Sequence, residues 1–338
     1  MEPVFDGRNG PEAVLPMVLV GVTHFRAGTV VGAKMEDDAA SDVYHTGERA
    51  VQQQAGVRER AEQMTSMVER TIPDGAGARG LIEDQPHVVV TSVDRNGTVW
   101  VSFLTGEPGF LTVPDDRTLN VATTPAAVDP LADHLRSGMP AGVLLVDPRN
   151  RNRLRLNGTV EPTEEGFTLT TEEVFPNCQK YIQQRSFERV ADESTAATRE
   201  TTNGLQPAHR EWIETTDTFF IGSYYPDTGA DASHRGGDPG FVDVDGDTIV
   251  YPDYPGNTMF CTLGNIESQP NVGLLFVDFA DGRTLQVTGS ATIIWDDDRI
   301  AQHEGAERLV EITVDRTVEL PNGNPFRWSL EDRSPFNP

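Results

Sequence analysis

From residue 87 onward, apolar positions fall into short runs that either alternate with polar ones or continue unbroken for a few residues. HVVVTSV (87–93), TVWVSFL (98–104), AGVLLVD (141–147) and RLRLNGTV (153–160) are rich in β-branched residues, and turn signals such as Asn96-Gly97 punctuate them. A second set comes later in the chain: DTFFIGSYY (217–225), DTIVYPD (247–253), NVGLLFVD (271–278) and RTLQVTGSATIIW (283–295). Closely spaced strands of this length, without alternating long helices, predict a small barrel or sandwich. Helical spacing is confined to short stretches, near 129–138, near 259–268 and over roughly 176–188. Upstream, GERAVQQQAGVRERAEQMTSMVERT (47–71) predicts helical turns broken at Gly56.

The two sets of strands are one pattern written twice. Setting 107–160 against 238–291 at a constant offset of 131 needs no gap, and twelve of the 54 pairs are identical. They include Pro108/Pro239, Gly109/Gly240, Phe110/Phe241, Gly142/Gly273, Asp147/Asp278 and Gly158/Gly289. A whole register held over that length predicts two copies of one domain. The polar, threonine-rich stretch at 191–206 is the natural linker between them.

Composition adds the surface. Net charge is −26 over 338 residues, and Lys34 and Lys180 are the only lysines. An acidic surface nearly free of lysine suits multimolar salt, where screening shrinks to a few ångströms; the bland alternative is an acidic mesophilic protein. Either surface argues against nonspecific binding to nucleic acid or anionic lipid. Cys178 and Cys261 have neither metal-ligand spacing nor the density of a disulfide scaffold, which fits a reduced, cytoplasmic compartment. The apolar stretch VLPMVLVGVTHF is too short to span a bilayer and lacks the basic start of a signal peptide, so no membrane association is expected. Residues 1–34 differ in character from the rest of the chain, and Met35 is the expected native start.

Candidate chemistry is sparse. GAGARG (75–80) satisfies G-x-G-x-x-G but comes after a helical pattern and Pro73-Asp74, so it is expected to be a flexible connection and not a nucleotide loop. No P-loop, H-E-x-x-H, C-x-x-C or G-x-S-x-G occurs, and the seven histidines show no ligand spacing, so no metal site is expected. What distinguishes the second copy is Ser233-His234-Arg235-Gly236-Gly237, where the first has Ser102-Phe103-Leu104-Thr105-Gly106. A hydroxyl, a guanidinium fork and two glycines at a strand end can cradle a phosphate; the alternative is a surface arginine in a glycine-rich turn. YPDYPGNTMFCTLGNI (251–266) then adds aromatic rings and the polar Asn257, Thr258, Thr262 and Asn265. Arg151, Arg153 and Arg155 alternate on one strand face, predicting a solvated, salt-bridged surface with a phosphate contact as the alternative.

These residues resemble the pyridoxamine 5′-phosphate oxidase-like flavin-binding split β-barrels, and most closely their branch of predicted flavin-nucleotide-binding proteins. The resemblance lies in Ser233 through Val242, in Pro252-Asp253-Tyr254-Pro255-Gly256-Asn257, in Thr262-Leu263-Gly264-Asn265-Ile266 and in NVGLLFVD. YHTGERAVQQQAGV, NCQKYIQQR and the closing ELPNGNPFRWSLEDRSPFNP resemble it too, so it spans roughly 44–338. It implies a mainly β chain with short helices, two tandem split β-barrels forming an intramolecular pseudo-dimer. The expected boundaries are an N-terminal extension (1–34), a helical segment (35–80), the first barrel (81–190), the linker (191–206), the second barrel (207–300) and a C-terminal helix and tail (301–338).

The resemblance further implies one flavin mononucleotide (FMN) in the cleft between barrels, making the chain an FMN-binding oxidoreductase. Ser233 and Arg235 would bind phosphate, with the Gly236-Gly237 backbone running close to the flavin. Asn257, Thr258 and Thr262 are candidates for phosphate, ribityl or ring contacts, against core or capping roles. His234 is either a ring contact or solvent-facing. Lys180, in a stretch that also offers Tyr181 and Gln184, would reach across from the first half, and no catalytic residue is assigned. A deazaflavin-dependent reductase, using the Arg151–Arg155 face as a larger basic groove, and a non-enzymatic flavin carrier or sensor stand as alternatives. Small-molecule substrate and electron donor are left open.

Overall fold

The first run of strand residues closes into a hairpin through one side chain. The Asp94 carboxylate accepts the backbone N–H groups of Asn96 (2.7 Å) and Thr98 (2.9 Å), and Gly97 takes the left-handed conformation with φ 81°. The computed structural model describes residues 43–190 and 198–338. The expectations for residues 1–34 and for the start at Met35 lie outside the described residues.

Helices α1 (Thr46–Gln54), α2 (Arg58–Met64) and α3 (Ala76–Glu83) lead into the first barrel. Its strands are β1 (His87–Val93), β2 (Val99–Thr105), β3 (Leu111–Asp115), β4 (Thr118–Val121), β5 (Met139–Asp147), β6 (Asn152–Pro162) and β7 (Phe167–Pro176), with α4 (Pro130–His134) between β4 and β5. After β8 (Gln184–Arg189), β9 (Glu200–Asn203) and α5 (Pro207–Thr215), the second barrel repeats the plan. Its strands are β10 (Thr218–Tyr225), β11 (Gly229–Gly236), β12 (Asp243–Asp245), β13 (Thr248–Asp253), β14 (Asn271–Val277), β15 (Thr284–Ile294) and β16 (Arg308–Leu320), with α6 (Cys261–Ser268) between β13 and β14. The sheet orders are β2-β1-β5-β6-β7-β4-β3 and β11-β10-β14-β15-β16-β13-β12, the same path twice. Even the β-bulge recurs, between Asn157 and Gly158 in one copy and Thr288 and Gly289 in the other.

Each barrel encloses its own core: Leu111, Leu119, Met139, Leu156 and Phe167 in the first, Phe219, Tyr251, Leu274, Phe276 and Val287 in the second. A third core lies between them. Val89, Val101, Phe103, Leu144 and Val146 of the first barrel meet Phe220, Ala232, Leu275 and Val277 of the second, closed off by Phe326 and Trp328. Burying a large apolar side chain contributes about 1.5–3 kcal/mol, so this seam makes the barrels one body. It is built on a pseudo-twofold axis. A Cβ on Gly142 would come within 2.6 Å of the Asp231 backbone, and one on Gly273 within 2.7 Å of the Val99 carbonyl, the two contacts being equivalent. The equivalent pair Thr91 and Gly222 meet each other, where the axis passes.

Several sequence expectations need correction. The segment at 176–188 is not helical: Tyr181 sits at φ 65°, and β8 pairs with a C-terminal strand, β17 (Phe326–Asp332). The C-terminal helix expected within 301–338 is absent among the described residues. Apart from a 3-10 turn at Asp298–Gln302, that region forms β16 and β17, and the alternation of RLVEITVDRTVEL is the reason. The second barrel therefore runs past 300 to Leu320. Of the linker, 191–197 lie outside the described residues, and Glu200–Asn203 is a strand paired with β16. GAGARG is not a flexible connection, since Gly75 is the N-cap of α3. Among the described residues, no helix is long and apolar enough to cross a membrane.

Candidate functional site: a cleft across the two barrels

Strand alternation decides what faces what. On β11, Ala232 joins the seam between barrels, while Asp231 and Ser233 point to the neighbouring β6 of the first barrel. On β6, Arg153, Arg155 and Asn157 form the facing row. Arg155 pairs with Asp231 at 2.8 Å and donates to Ser233 Oγ at 2.5 Å. Ser233 also meets Thr262 Oγ1 at 2.8 Å. Arg153 Nη1 approaches His234 Nδ1 at 3.2 Å, and its Nη2 donates to the carbonyls of Cys178 and, at 3.3 Å, Lys180. Because a guanidinium can only donate, His234 Nδ1 is the acceptor and its proton sits on Nε2.

These residues wall an open cavity of about 130 Å³ between the barrels, with Arg235, Asp253, Tyr254 and the first turn of α6 completing it. Three guanidiniums, of Arg153, Arg155 and Arg235, converge there, and the Nε of each is buried without a partner. Burial, together with Arg155 and Arg235, pulls the Arg153 guanidinium down to about 9. Burial opposes the charge on Arg235 as well, but Tyr251, Asp253 and Asp231 outweigh it and hold that group above its ordinary value. Burial, with Arg153, Arg235 and Arg185 around it, keeps His234 well below the histidine range, so it is neutral. Cys261 is held far above the usual thiol by burial and Glu48, which makes it a protonated wall and not a nucleophile. Glu48 itself is pushed up to about 8, chiefly by burial. Orphaned donors under concentrated positive charge are what an oxyanion would satisfy.

Backbone strain concentrates at the same place. Among the described residues, the non-glycine positions with positive φ are Arg151 (53°), Tyr181 (65°), Thr258 (65°) and Phe260 (61°). The last three line the cavity. Such conformations cost about 1 kcal/mol or more each and gather at ligand sites. Phe260 is also the N-cap of α6 and offers no side-chain oxygen, so the first-turn N–H groups have no side-chain cap where they face the cavity.

The first copy holds the counterpart of this cavity already filled. At the position of Phe260 stands Asp129, the N-cap of α4. Its buried carboxylate accepts from Ser102 Oγ (2.5 Å), Leu131 N (2.8 Å) and Gln286 Nε2 (2.8 Å). Those three groups are the equivalents, at the offset of 131, of Ser233, Thr262 and Arg155. Leu104 replaces Arg235 and is core, and Trp100, which replaces Asp231, packs on Val318 and Leu320. An internal carboxylate thus marks where an anion fits this architecture.

Of the residues singled out in the sequence, Ser233, His234, Arg235, Gly236, Asn257, Thr258, Thr262 and Lys180 all line the cavity. Gly237 does not. A Cβ there would strike Phe241 at 2.6 Å, so it serves packing. Gly236 is needed because the Tyr181 carbonyl lies 2.1 Å from where its Cβ would be. His234 is buried at 4% exposure and is not solvent-facing. The Asn257 amide closes its own turn on Met259, and the Lys180 ammonium lies over the Phe336 ring at the rim. Asn265 bonds His45 and Ser223 away from the cavity. The Arg151–Arg155 row is not a solvated face: Arg153 and Arg155 line the cavity, while Arg151 ties Ile182 O to Asp332. The available signal was three arginines on one strand face leading to Asn157. Tyr181 and Tyr254, with ring centroids 5.3 Å apart, also form the rim. Among the described residues no His, Cys, Asp and Glu cluster is placed to hold a metal ion.

A family model described as pyridoxamine 5′-phosphate oxidase matches residues 76–199 and, a second time, 205–325. No curated protein is similar enough to match. Among solved structures, HupZ of Group A Streptococcus is 15% identical with a TM-score of 0.30, covering 36% of this chain and 98% of its own. An F420 reductase is 16% identical (TM-score 0.26; 38% of this chain, 100% of its own). A FAD-binding protein from Mesorhizobium loti is 10% identical (TM-score 0.27; 36% and 97%).

Proposed function

The chain belongs to the pyridoxamine 5′-phosphate oxidase family, matched by each of its two barrels in turn, and on that basis we propose that it binds one flavin mononucleotide, in the cleft of the second copy. The observation that carries this reading is the Asp129 carboxylate, which sits among Ser102, Leu131 N and Gln286. In the second cleft the equivalent Ser233, Thr262 and Arg155 gather on the Asp231 carboxylate, and Arg153, Arg155 and Arg235 bring three further guanidinium Nε groups without partners, which a phosphate dianion would suit. Ser233, Arg153, Arg155, Arg235 and the first turn of α6 would hold the phosphate, and the Tyr181–Tyr254 rim and Asn257–Thr258 turn would border the rest of the ligand. When bound, the flavin would supply hydride or electron transfer, the chain contributing orientation. That makes the protein an oxidoreductase whose substrate and electron donor are open.

A deazaflavin is the second reading, favoured by three guanidiniums, of Arg153, Arg155 and Arg235, on one cavity. Purifying the full chain in multimolar KCl and identifying the released chromophore by mass separates the two. The expected result is flavin mononucleotide at one equivalent per chain. A deazaflavin mass would replace the cofactor, and a colourless protein that takes up neither would end the reading.

A further inference from the structure

Gln183 does not touch the main cavity, yet its side chain joins three segments beside the cavity's phosphate end. It is 1% exposed. Its Nε2 donates to Gly237 O (3.1 Å) and Tyr181 O (3.3 Å), and its Oε1 accepts from Ser334 N (2.8 Å), with the Asn337 amide 3.3 Å away. Three separate parts of the chain meet on this one amide.

The first is the arm at 177–183, which leaves the first barrel and crosses onto the second. Its Cys178 and Lys180 carbonyls hold the guanidinium of Arg153, and its Tyr181 carbonyl presses on Gly236. The second is the end of β11, which carries Arg235 two residues before Gly237. The third is the C-terminal segment, where Ser334 Oγ accepts the Tyr181 N–H (3.0 Å) and Asn337 Nδ2 donates to Asp238 (3.0 Å). With Tyr181 in a strained left-handed conformation, the arm cannot keep this path by local preference alone, so other contacts must fix it.

We propose that Gln183 is the positioning residue of the anion site: it registers the arm, and so Arg153, against the end of β11, and so Arg235. This rests on the phosphate of a flavin being the ligand of that site. Loss of the clamp lets the two guanidiniums drift apart, which weakens recognition of the phosphate more than the contacts to the rest of the ligand, of which only the Tyr181 rim is tied to the clamp.

The test compares FMN with riboflavin, which lacks the phosphate, on the full chain by flavin fluorescence, with thermal unfolding recorded for each variant. In Gln183→Ala the FMN Kd is expected to rise about tenfold, the equivalent of one or two charge-linked hydrogen bonds, while that for riboflavin changes less than about twofold. Ser334→Ala, which removes the acceptor of the Tyr181 and Phe336 N–H groups and keeps the Ser334 N–H to Gln183, should move the same ratio by about threefold. Equal losses for both ligands, the mark of a merely structural role, would overturn the proposal, as would an unchanged ratio. If Gln183→Ala does not fold, the ratio in Ser334→Ala decides alone. Wild-type protein that binds FMN no better than riboflavin would refute the phosphate reading itself, and this inference with it.

Discussion

The two clefts of this molecule share a strand path and differ in a handful of side chains and in the helix start, extended at Asp129 and left-handed at Phe260. In the second, Phe260 caps α6 without an oxygen, and Arg153, Arg155 and Arg235 converge on open space. In the first, Asp129 caps α4 with a carboxylate that takes up a hydroxyl, an amide and an N–H group, while Leu104 joins the barrel core and Trp100 packs with Val318 and Leu320. One copy of the barrel therefore carries an internal carboxylate where the other carries a cavity. A built-in carboxylate takes up the hydroxyl, amide and N–H there, and the positions of Arg153, Arg155 and Arg235 are taken by Thr284, Gln286 and Leu104. The frame persists in both copies because the strand path, the bulge and the seam between barrels require it.

Writing the first cleft into the second should erase the difference between them at a stroke. Phe260→Asp with Arg235→Leu places a carboxylate at the helix start and removes one guanidinium. Asp tolerates the positive φ of position 260 better than Phe does, so folding should survive. FMN affinity is expected to fall by about a thousandfold or more, from one lost charge-assisted partner plus like-charge repulsion. Titration followed by flavin fluorescence measures it. A Kd within about tenfold of wild type would mean that the anion does not sit at α6.

Much of this architecture was legible in the sequence, because short β-branched runs recur at a constant offset of 131 over 107–160 and 238–291. The match fades after β15, where the bulge partner moves from Thr171 to Val314 and extra residues intervene, so β16 was hidden. The arm around Tyr181 has apolar spacing that suits a helix, and its tertiary contacts hold it in a non-helical path instead. Arg153 and Arg155 look like surface charge until β11 is laid against β6. The exchange of Asp129 for Phe260 was visible as letters, but its meaning depends on both being helix caps.

A second difference between the copies lies in the seam. His87 and its equivalent Thr218 both border a small apolar void there, and only His87 can titrate. Its ring stacks on Phe103 at 5.2 Å and meets Trp328 edge-on at 5.2 Å. Burial pulls it down to about 4, against a smaller opposing pull from the Val146 backbone and Asp147. Below pH 6.5 the unfolded chain takes up a proton that the folded one refuses, so stability is lost as pH falls from about 6.5 to about 4. The loss attributable to this ring is at most about 3 kcal/mol. Urea unfolding at pH 7 and pH 4.5, in constant KCl, should show His87→Phe losing less stability than wild type by about that margin. Identical losses in both proteins would mean that the ring is protonated in the folded state.

The smallest change asks whether Asp129 alone closes the first cleft. Asp129→Ala leaves the Ser102 hydroxyl, the Gln286 amide and the Leu131 N–H without their acceptor, in surroundings that stay largely buried. The expected cost is about 2 kcal/mol in urea unfolding, partly recovered if water enters to replace the carboxylate. The flavin count should stay at one per chain, because Leu104 and Trp100 still occupy the space that Arg235 and Asp231 border in the other copy. Two flavins per chain would instead mean that the carboxylate was the only barrier, and that the apolar filling of the first cleft yields to a ligand.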